Sequence, residues 1–369
     1  MPVKVVILGS TGSIGRQAID VATSHPDLFE VVALVAGTDR DTLERQAADL
    51  GVARTGLGAD EAEDVARTTD CDVVLNAIVG SAGLRASIAA LESGKTLALA
   101  NKESLVTGGE LCLAAARDGG GTIVPIDSEH AAIAQCLEGR ARDTVARIVL
   151  TASGGPFRDR ADLTDVTVDD ALAHPTWSMG PKITVDSATL MNKGFEVIEG
   201  HFLFDLDYDH IDVVVHRQSK VHGVVEFVDG TSLLQAAPTD MRIPIQAALT
   251  TPDRRPGPVA PLDLASEGEL TFEPVDRTRF PAVDLAYEAG RAGATFPAAL
   301  NAANEEAVHA FLQGDLRFVD IAAVVAAVVN EHEPRDPRSL DDVLEVDRLA
   351  REQARYVAAR ASAPVGGAA

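Results

Sequence analysis

Asp127 and Glu129 stand two residues apart in the string IVPIDSEH (123–130), where an apolar run ends and a helical pattern begins. Side chains two apart at a strand end point to the same side. Two carboxylates held together repel unless a cation lies between them or they share a proton. Oxygen ligands of this kind suit Mg²⁺ or Mn²⁺ better than zinc. The same residues also read as a helix start, with Asp127, Ser128 and Glu129 capping a helix over 131–138. Local pattern alone supports the two readings equally.

A second stretch, DSATLMNKGFE (186–196), shifts the balance. Asp186 or Ser187 has the chemistry of an N-cap. In the helix that follows, Asn192 and Glu196 are i,i+4 neighbours and Lys193 and Glu196 are i,i+3 neighbours. One face then carries an amide, a cation and an acid. Glu196 is placed to complete an Asp–Glu–Glu oxygen site, leaving Ser187, Asn192 and Lys193 to hold a phosphate. The plainer alternative is a solvated Lys193–Glu196 pair of little energetic value.

Just before it, HPTWSMGPK (174–182) sets the chain's single tryptophan, Trp177, between two prolines. An indole in a loop either plugs a core or covers a ligand, and the segment is read as a cover. His174 is a candidate phosphate donor or a plain helix-terminal histidine. The turn SGGPF (153–157) offers Ser153 and backbone N–H groups to an anion, or is simply a tight turn. At the start of the chain, GSTGSIG (9–15) follows a buried strand pattern and opens a helix reaching about Ser24. Glycines there let a backbone approach a pyrophosphate, and the helix start presents free N–H groups. The second strand ends in AGTDR (36–40), where Asp39 would favour NAD and Arg40 would favour NADP.

These residues need a frame. Apolar runs at 3–8, 31–36, 72–75, 96–100 and 122–126, with helical stretches between them, predict βαβ units and a parallel, Rossmann-like sheet. Strand patterns at 148–152, 212–216, 223–227 and 232–236, broken by longer loops, predict a central α+β domain with a largely antiparallel sheet. Prolines crowd the segment around 252–261 and mark a linker. From 281 onward an Ala-rich helical pattern, as at 298–312 and 319–329, predicts a C-terminal helical domain. Expected units are therefore 1–126, 127–250 with a mobile loop at about 174–186, a linker at 251–280, and 281–369, of which 361–369 reads as disordered. The formal charge of −24 over 369 residues argues against nucleic acid or an anionic membrane as partner. Three cysteines without a CxxC pair, and no signal-peptide layout or long apolar run, point to the cytoplasm.

Taken together, GSTGSIG (9–15), ANKESLV (100–106), PIDSEHAAI (125–133), SGGPF (153–157), HPTWSMGPKITVDSATLMNKGFE (174–196), DMRIPI (240–245) and LNAANE (300–305) resemble, in order, the 1-deoxy-D-xylulose-5-phosphate reductoisomerase family. The resemblance implies a metal-dependent, NADPH-linked isomerisation and reduction of that sugar phosphate to 2-C-methyl-D-erythritol 4-phosphate, in non-mevalonate isoprenoid biosynthesis, by a homodimer. It implies Asp127, Glu129 and Glu196 as ligands of Mg²⁺ or Mn²⁺. Ser153, Ser187, Asn192 and Lys193 would hold the phosphate with His174 nearby, Ser128 the carbonyl and hydroxyl end, and Trp177 and Met179 would close over it. Lys102, Glu129 and His222 would lie at the reacting groups. Gly9, Thr11, Gly12, Ser13, Ile14, Gly37, Arg40, Asn101 and Glu103 would serve the dinucleotide. The chain departs from the family at Arg217, which replaces a turn proline, at Lys220, which replaces an apolar residue, and at Thr38-Asp39.

Overall fold

The computed structural model describes residues 1–177 and 179–361. Strands β1 (Val3–Leu8), β2 (Phe29–Ala36), β3 (Arg54–Leu57), β4 (Val73–Asn76), β5 (Thr96–Leu99) and β6 (Thr122–Pro125) form one sheet in the order β3-β2-β1-β4-β5-β6. Every pairing in it is parallel. Val5, Val6, Ile7 and Leu8 are fully buried, as expected for a strand covered on both faces. Strand order reverses between β1 and β4, which opens a crevice outside the strands' carboxyl ends. The five strands expected in this region are present to within two residues. The edge strand β3 was not anticipated, because RTGL carries too little apolar pattern to announce itself.

A second sheet contains β7 (Val145–Ala152), β8 (Ile211–Val215), β9 (Val221–Phe227), β10 (Ser232–Ala236) and β11 (Glu273–Pro274), ordered β10-β9-β7-β8-β11. Its pairings are antiparallel except β7 with β8. A parallel pair needs a long crossover. Here the crossover carries the helices Val168–Leu172, Pro181–Thr189 and Met191–Phe204, and with them most of the candidate site. Pro274 is tolerated because β11 is an edge strand.

One local expectation is corrected. No helix begins at Asp186 or Ser187; both lie inside Pro181–Thr189, which starts with proline in its first turn after Gly180. The break comes instead at Leu190, whose left-handed φ of 62° separates that helix from the next. The C-terminal helices Phe296–Gln313, Asp320–Glu331 and Leu340–Ala361 pack on one another, and Ala282–Ala292 joins them to Met191–Phe204 of the crossover. The expectation of disorder covered 361–369; Ala361 instead ends the last helix, and 362–369 lie outside the described residues.

Candidate active site

A cavity of about 680 Å³ opens where the crevice of the parallel sheet meets the crossover. Its wall takes residues from the Gly-rich turn, the loops after β4, β5 and β6, the end of β7, and the segment 174–196.

At its charged end, Asp127, Glu129 and Glu196 bring ligand oxygens within 4.8 Å of one another. Asp127 both caps the helix Ser128–Leu137, accepting from the Glu129 N–H at 3.2 Å, and faces this cluster. The two readings of its sequence are therefore one arrangement. Lys102, from the turn after β5, donates to Asp127, to Asn192 at 2.9 Å and to Glu196 at 3.0 Å. Lys193 donates to Glu129 at 2.8 Å and to Glu196, and the Asn192 amide donates to Glu196 at 2.6 Å. Ser128 donates to Glu129. Burial resists the charge on Asp127, yet the Lys102 ammonium and His130 hold its carboxyl well below the usual range. Glu196 goes the other way: burial and the neighbouring Asp127 and Glu129 raise its pKa against the pull of Lys102 and Lys193. Three carboxylates facing two ammoniums leave an excess of buried negative charge. That donor set, all hard oxygen, fits Mg²⁺ or Mn²⁺.

At the neutral end, His174 Nε2 lies 3.0 Å from Ser153 Oγ and 3.1 Å from Ser187 Oγ. Its Nδ1 accepts from the Thr176 and Trp177 N–H groups at 3.2 and 2.9 Å. That fixes the proton on Nε2, so the ring donates toward the serines. Burial, reinforced by the nearby Arg158 guanidinium, pushes its pKa down to about 4. Trp177, half-buried, stands with its ring centroid 6.3 Å from that of His222, and Met179 joins it on the cavity wall. His222 Nε2 lies 3.2 Å from Ala237 O, and burial lowers its pKa. The phosphate residues expected from sequence therefore divide. Ser153, His174 and Ser187 meet one another, while Asn192 and Lys193 reach the carboxylates.

On the nucleotide side, the glycines act as packing demands. A Cβ on Gly9 would lie 2.5 Å from Ala77 O, and one on Gly15 would lie 2.2 Å from Gly9 O. The helix Ser13–Ser24 has Gly12 as its N-cap and no side-chain cap, so its first turn is left to the cavity, where Gly12, Ser13 and Ile14 line the wall. This cradle fits a dinucleotide pyrophosphate. Gly9 and Thr11, whose carbonyl accepts from Arg16, sit in the same turn, part-buried, beside those lining residues. Asn101 is buried and donates to Ile78 O and Gly80 O, so it shapes the loop after β4 instead of lining the cavity. Gly37 and Arg40 lie at the end of β2, also outside the lining. Asp39 is committed as the N-cap of Arg40–Leu50, accepting from Thr42 N at 3.1 Å. The Arg40 guanidinium is exposed and lies 3.8 Å from Glu44.

The departures from the family at 217 and 220 are absorbed by charge. Arg217 grips Glu273 on β11 at 2.6 and 3.0 Å and Asp159 at 2.7 and 2.9 Å. Lys220 lies 3.3 Å from Glu267. His216 closes the turn, with its ring accepting from Lys220 N at 3.2 Å.

Three features escaped the sequence. His130, fully buried, lies 3.2 Å from Glu199 and 3.3 Å from Asp127, with Nε2 2.9 Å from Glu196 O. The i,i+3 spacings of Asp127–His130 and Glu196–Glu199 were the available signal. Lys182 pairs with Glu103 at 2.7 Å and Asp186 at 3.0 Å. Glu305, from the LNAANE string, accepts from Ser81 N at 3.0 Å and pairs with Arg351 at 2.7 Å, so the C-terminal layer braces the loop after β4.

Comparison with known proteins identifies the family. Family models match in three parts: 1-deoxy-D-xylulose 5-phosphate reductoisomerase over 5–54 and 51–109, its C-terminal domain over 123–204, and DXP reductoisomerase C-terminal domain over 236–353. The reductoisomerase of Leifsonia xyli is 53% identical over 353 residues, covering 95% of this chain and 97% of the relative. That of Mycobacterium tuberculosis is 51% identical over 383 residues, covering 98% and 92%. Among solved structures, the Zymomonas mobilis enzyme in complex with NADPH superposes with a TM-score of 0.88 at 40% identity, covering 97% of this chain and 99% of that one. A reductoisomerase in complex with NADPH, fosmidomycin and magnesium reaches 0.90 at 37% identity, covering 96% and 98%. This chain belongs to the 1-deoxy-D-xylulose 5-phosphate reductoisomerase family.

Proposed function

We propose that the protein isomerises 1-deoxy-D-xylulose 5-phosphate and reduces the product with NADPH to 2-C-methyl-D-erythritol 4-phosphate, the step that feeds non-mevalonate isoprenoid synthesis. The observation that carries this reading is the union, in one cavity, of a three-carboxylate cluster, a serine–histidine anion site and a glycine cradle. Asp127, Glu129 and Glu196 would hold the divalent ion, Mg²⁺ or Mn²⁺. Bound there, the ion supplies Lewis-acid polarisation of the substrate carbonyl, and NADPH supplies hydride.

The remaining chemistry belongs to the chain. Ser153, His174 and Ser187 take the phosphate with neutral donors, assisted by Asn192 and Lys193 from the next helix. Ser128 orients the carbonyl and hydroxyl end. The Lys102 and Lys193 ammoniums stand on the cavity wall beside the triad, placed to face substrate oxygens. Glu129, accepting from both Ser128 and Lys193, is positioned to take part in proton movement at the hydroxyls. Trp177, Met179 and His222 exclude water from the reacting carbons. Gly9, Thr11, Gly12, Ser13 and Ile14 receive the pyrophosphate, Gly37 and Arg40 the adenosine end, and Asn101 and Glu103 set the loops beside the nicotinamide. Asp39 is tied up as a helix cap while the exposed Arg40 has a loose 3.8 Å contact to Glu44, which favours NADPH over NADH.

The functional units follow the sequence reading, 1–126 for the cofactor, 127–250 for the chemistry and 281–369 as support, with two changes. The segment 251–280 is more than a linker, because it returns edge strand β11 to the second sheet. The cover at about 174–186 is narrowed to 174–180, because the helix Pro181–Thr189 is packed. A homodimer is supported by the edge strand β10, whose Leu234 is 48% exposed. Among the described residues no helix is long and apolar enough to cross a membrane. Free Cys71, Cys112 and Cys136 suit a reducing cytoplasm.

The decisive experiment follows NADPH oxidation with 1-deoxy-D-xylulose 5-phosphate in EDTA, then with Mg²⁺ or Mn²⁺, and again with NADH. Turnover should require the metal and prefer NADPH. A folded, NADPH-binding protein with no metal-dependent turnover would overturn the reading.

A further inference from the structure

Lys182 takes no part in the carboxylate cluster, yet it is part-buried on the wall of the same cavity. It follows Met179, Gly180 and Pro181, in the first turn of Pro181–Thr189. Its Nζ lies 2.7 Å from Glu103 and 3.0 Å from Asp186, and 5.0 Å above the Phe195 ring. These partners belong to different parts of the fold. Glu103 opens the helix after β5, and its other oxygen accepts from Asn101 at 3.2 Å. Asp186 is on Lys182's own helix and accepts from Asn304 of the C-terminal layer at 2.7 Å. One ammonium therefore joins the parallel-sheet unit, the crossover and the helical layer.

The neighbouring turn explains why this joint bears on the site. Lys102 and Glu103 are consecutive, and they send charges of opposite sign across the same cleft. Lys102 goes to the carboxylate cluster, and Glu103 goes to Lys182. Any displacement of the Pro181 end of the crossover would thus move the chain that carries Trp177 and Met179 relative to Lys102. Side-chain exposures of 17% for Lys182, 11% for Glu103 and 3% for Asp186 set this contact apart from surface ion pairs, which contribute little. Burial opposes the ammonium, but Asp186, Glu103 and Glu305 outweigh it and keep Lys182 charged.

We infer that Lys182 is a positioning residue: its pair with Glu103 anchors the segment bearing Trp177 and Met179 against the cofactor-binding unit and so sets how tightly the sugar phosphate is enclosed. This rests on the functional reading above, in which that segment covers the substrate.

Trp177 is the only tryptophan in the chain, so its emission reports this segment directly. Lys182→Met should shift the emission to the red and raise the KM for 1-deoxy-D-xylulose 5-phosphate about tenfold, as loss of one charged, enclosed hydrogen bond predicts, with a smaller change in kcat. Lys182→Arg should restore most of both. Glu103→Gln cuts the same pair from the other side while leaving Asp186 as partner, and serves if the methionine variant does not fold. Emission is read without NADPH or substrate, so an inactive wild type would sink the functional reading and leave this test standing. Wild-type emission and KM in either folded variant would overturn the role of Lys182.

Discussion

The two ends of the cavity handle negative charge in opposite ways. The Asp127–Glu129–Glu196 end gathers buried carboxylates and offsets them with the ammoniums of Lys102 and Lys193. The Ser153–His174–Ser187 end uses two hydroxyls and an imidazole that burial keeps neutral. A carboxylate cluster costs desolvation and repulsion, and its return is a strong cation site. A neutral donor set costs little when empty and leaves the phosphate charge to be met by hydrogen bonds. The charged end should therefore show large, separable effects on stability and turnover, and the neutral end should act mainly on substrate affinity.

The sharpest way to break that comparison is at Glu196. Glu196→Gln should lower turnover by more than about 10²-fold, since even an outer partner of a metal ligand is worth about 10–100-fold. Because burial and the neighbouring carboxylates already disfavour its ionised form, the melting temperature in EDTA should not fall. Lys102→Met tests the other sign within the same cluster. It strips an ammonium from buried carboxylates and should cost about 3–5 kcal/mol of stability, measured by denaturant unfolding. Equal stability losses in both variants would mean the cluster is a balanced ion-pair network and not a cation site in waiting. At the neutral end, Ser187→Ala should raise the substrate KM about tenfold with kcat changed less, since one hydrogen bond to a charged group is lost. A fall in kcat with KM unchanged would place Ser187 at the reacting carbons instead.

The sequence revealed the two ends unequally. GSTGSIG, the apolar strand runs and the Asp127/Glu129 pair were legible because each depends on local spacing: a buried strand, a tight turn, a helix start. Asp127 was ambiguous between ligand and cap only because a single carboxylate serves both. The helix Pro181–Thr189 was misplaced because Asp186 and Ser187 carry cap chemistry, whereas Gly180 and Pro181, which start the helix, looked like loop. His130 with Glu199, Lys182 with Glu103, and Glu305 with Arg351 were hidden for another reason. Each pair joins residues distant in the chain; the i,i+3 spacings of Asp127–His130 and Glu196–Glu199 hinted at the first, but partnership across elements has no local signature. Arg217 shows the reverse case. In sequence it is a missing turn proline, but in the fold its bonds to Glu273 and Asp159 replace a backbone constraint with two ion pairs.

The smallest expected effect tests whether the neutral end is neutral. His174 has a folded-state pKa of about 4, below the ordinary 6.5, because burial and Arg158 disfavour its charged form. As pH falls below 6.5 the unfolded chain takes up this proton first, so stability is lost progressively between pH 6.5 and about 4. Above 6.5 the group is neutral in both states and contributes no pH dependence. Other groups titrate in the same range, including His222 and His332, whose pKa values are also lowered. The informative quantity is therefore a difference: melting temperature against pH for wild type and for His174→Gln. The variant's curve should be flatter from pH 6.5 to 4, with the two curves parallel above 6.5. Curves parallel throughout would mean that His174 protonates as freely as in water. It could then meet the phosphate as a cation, and the distinction between the two ends would be lost.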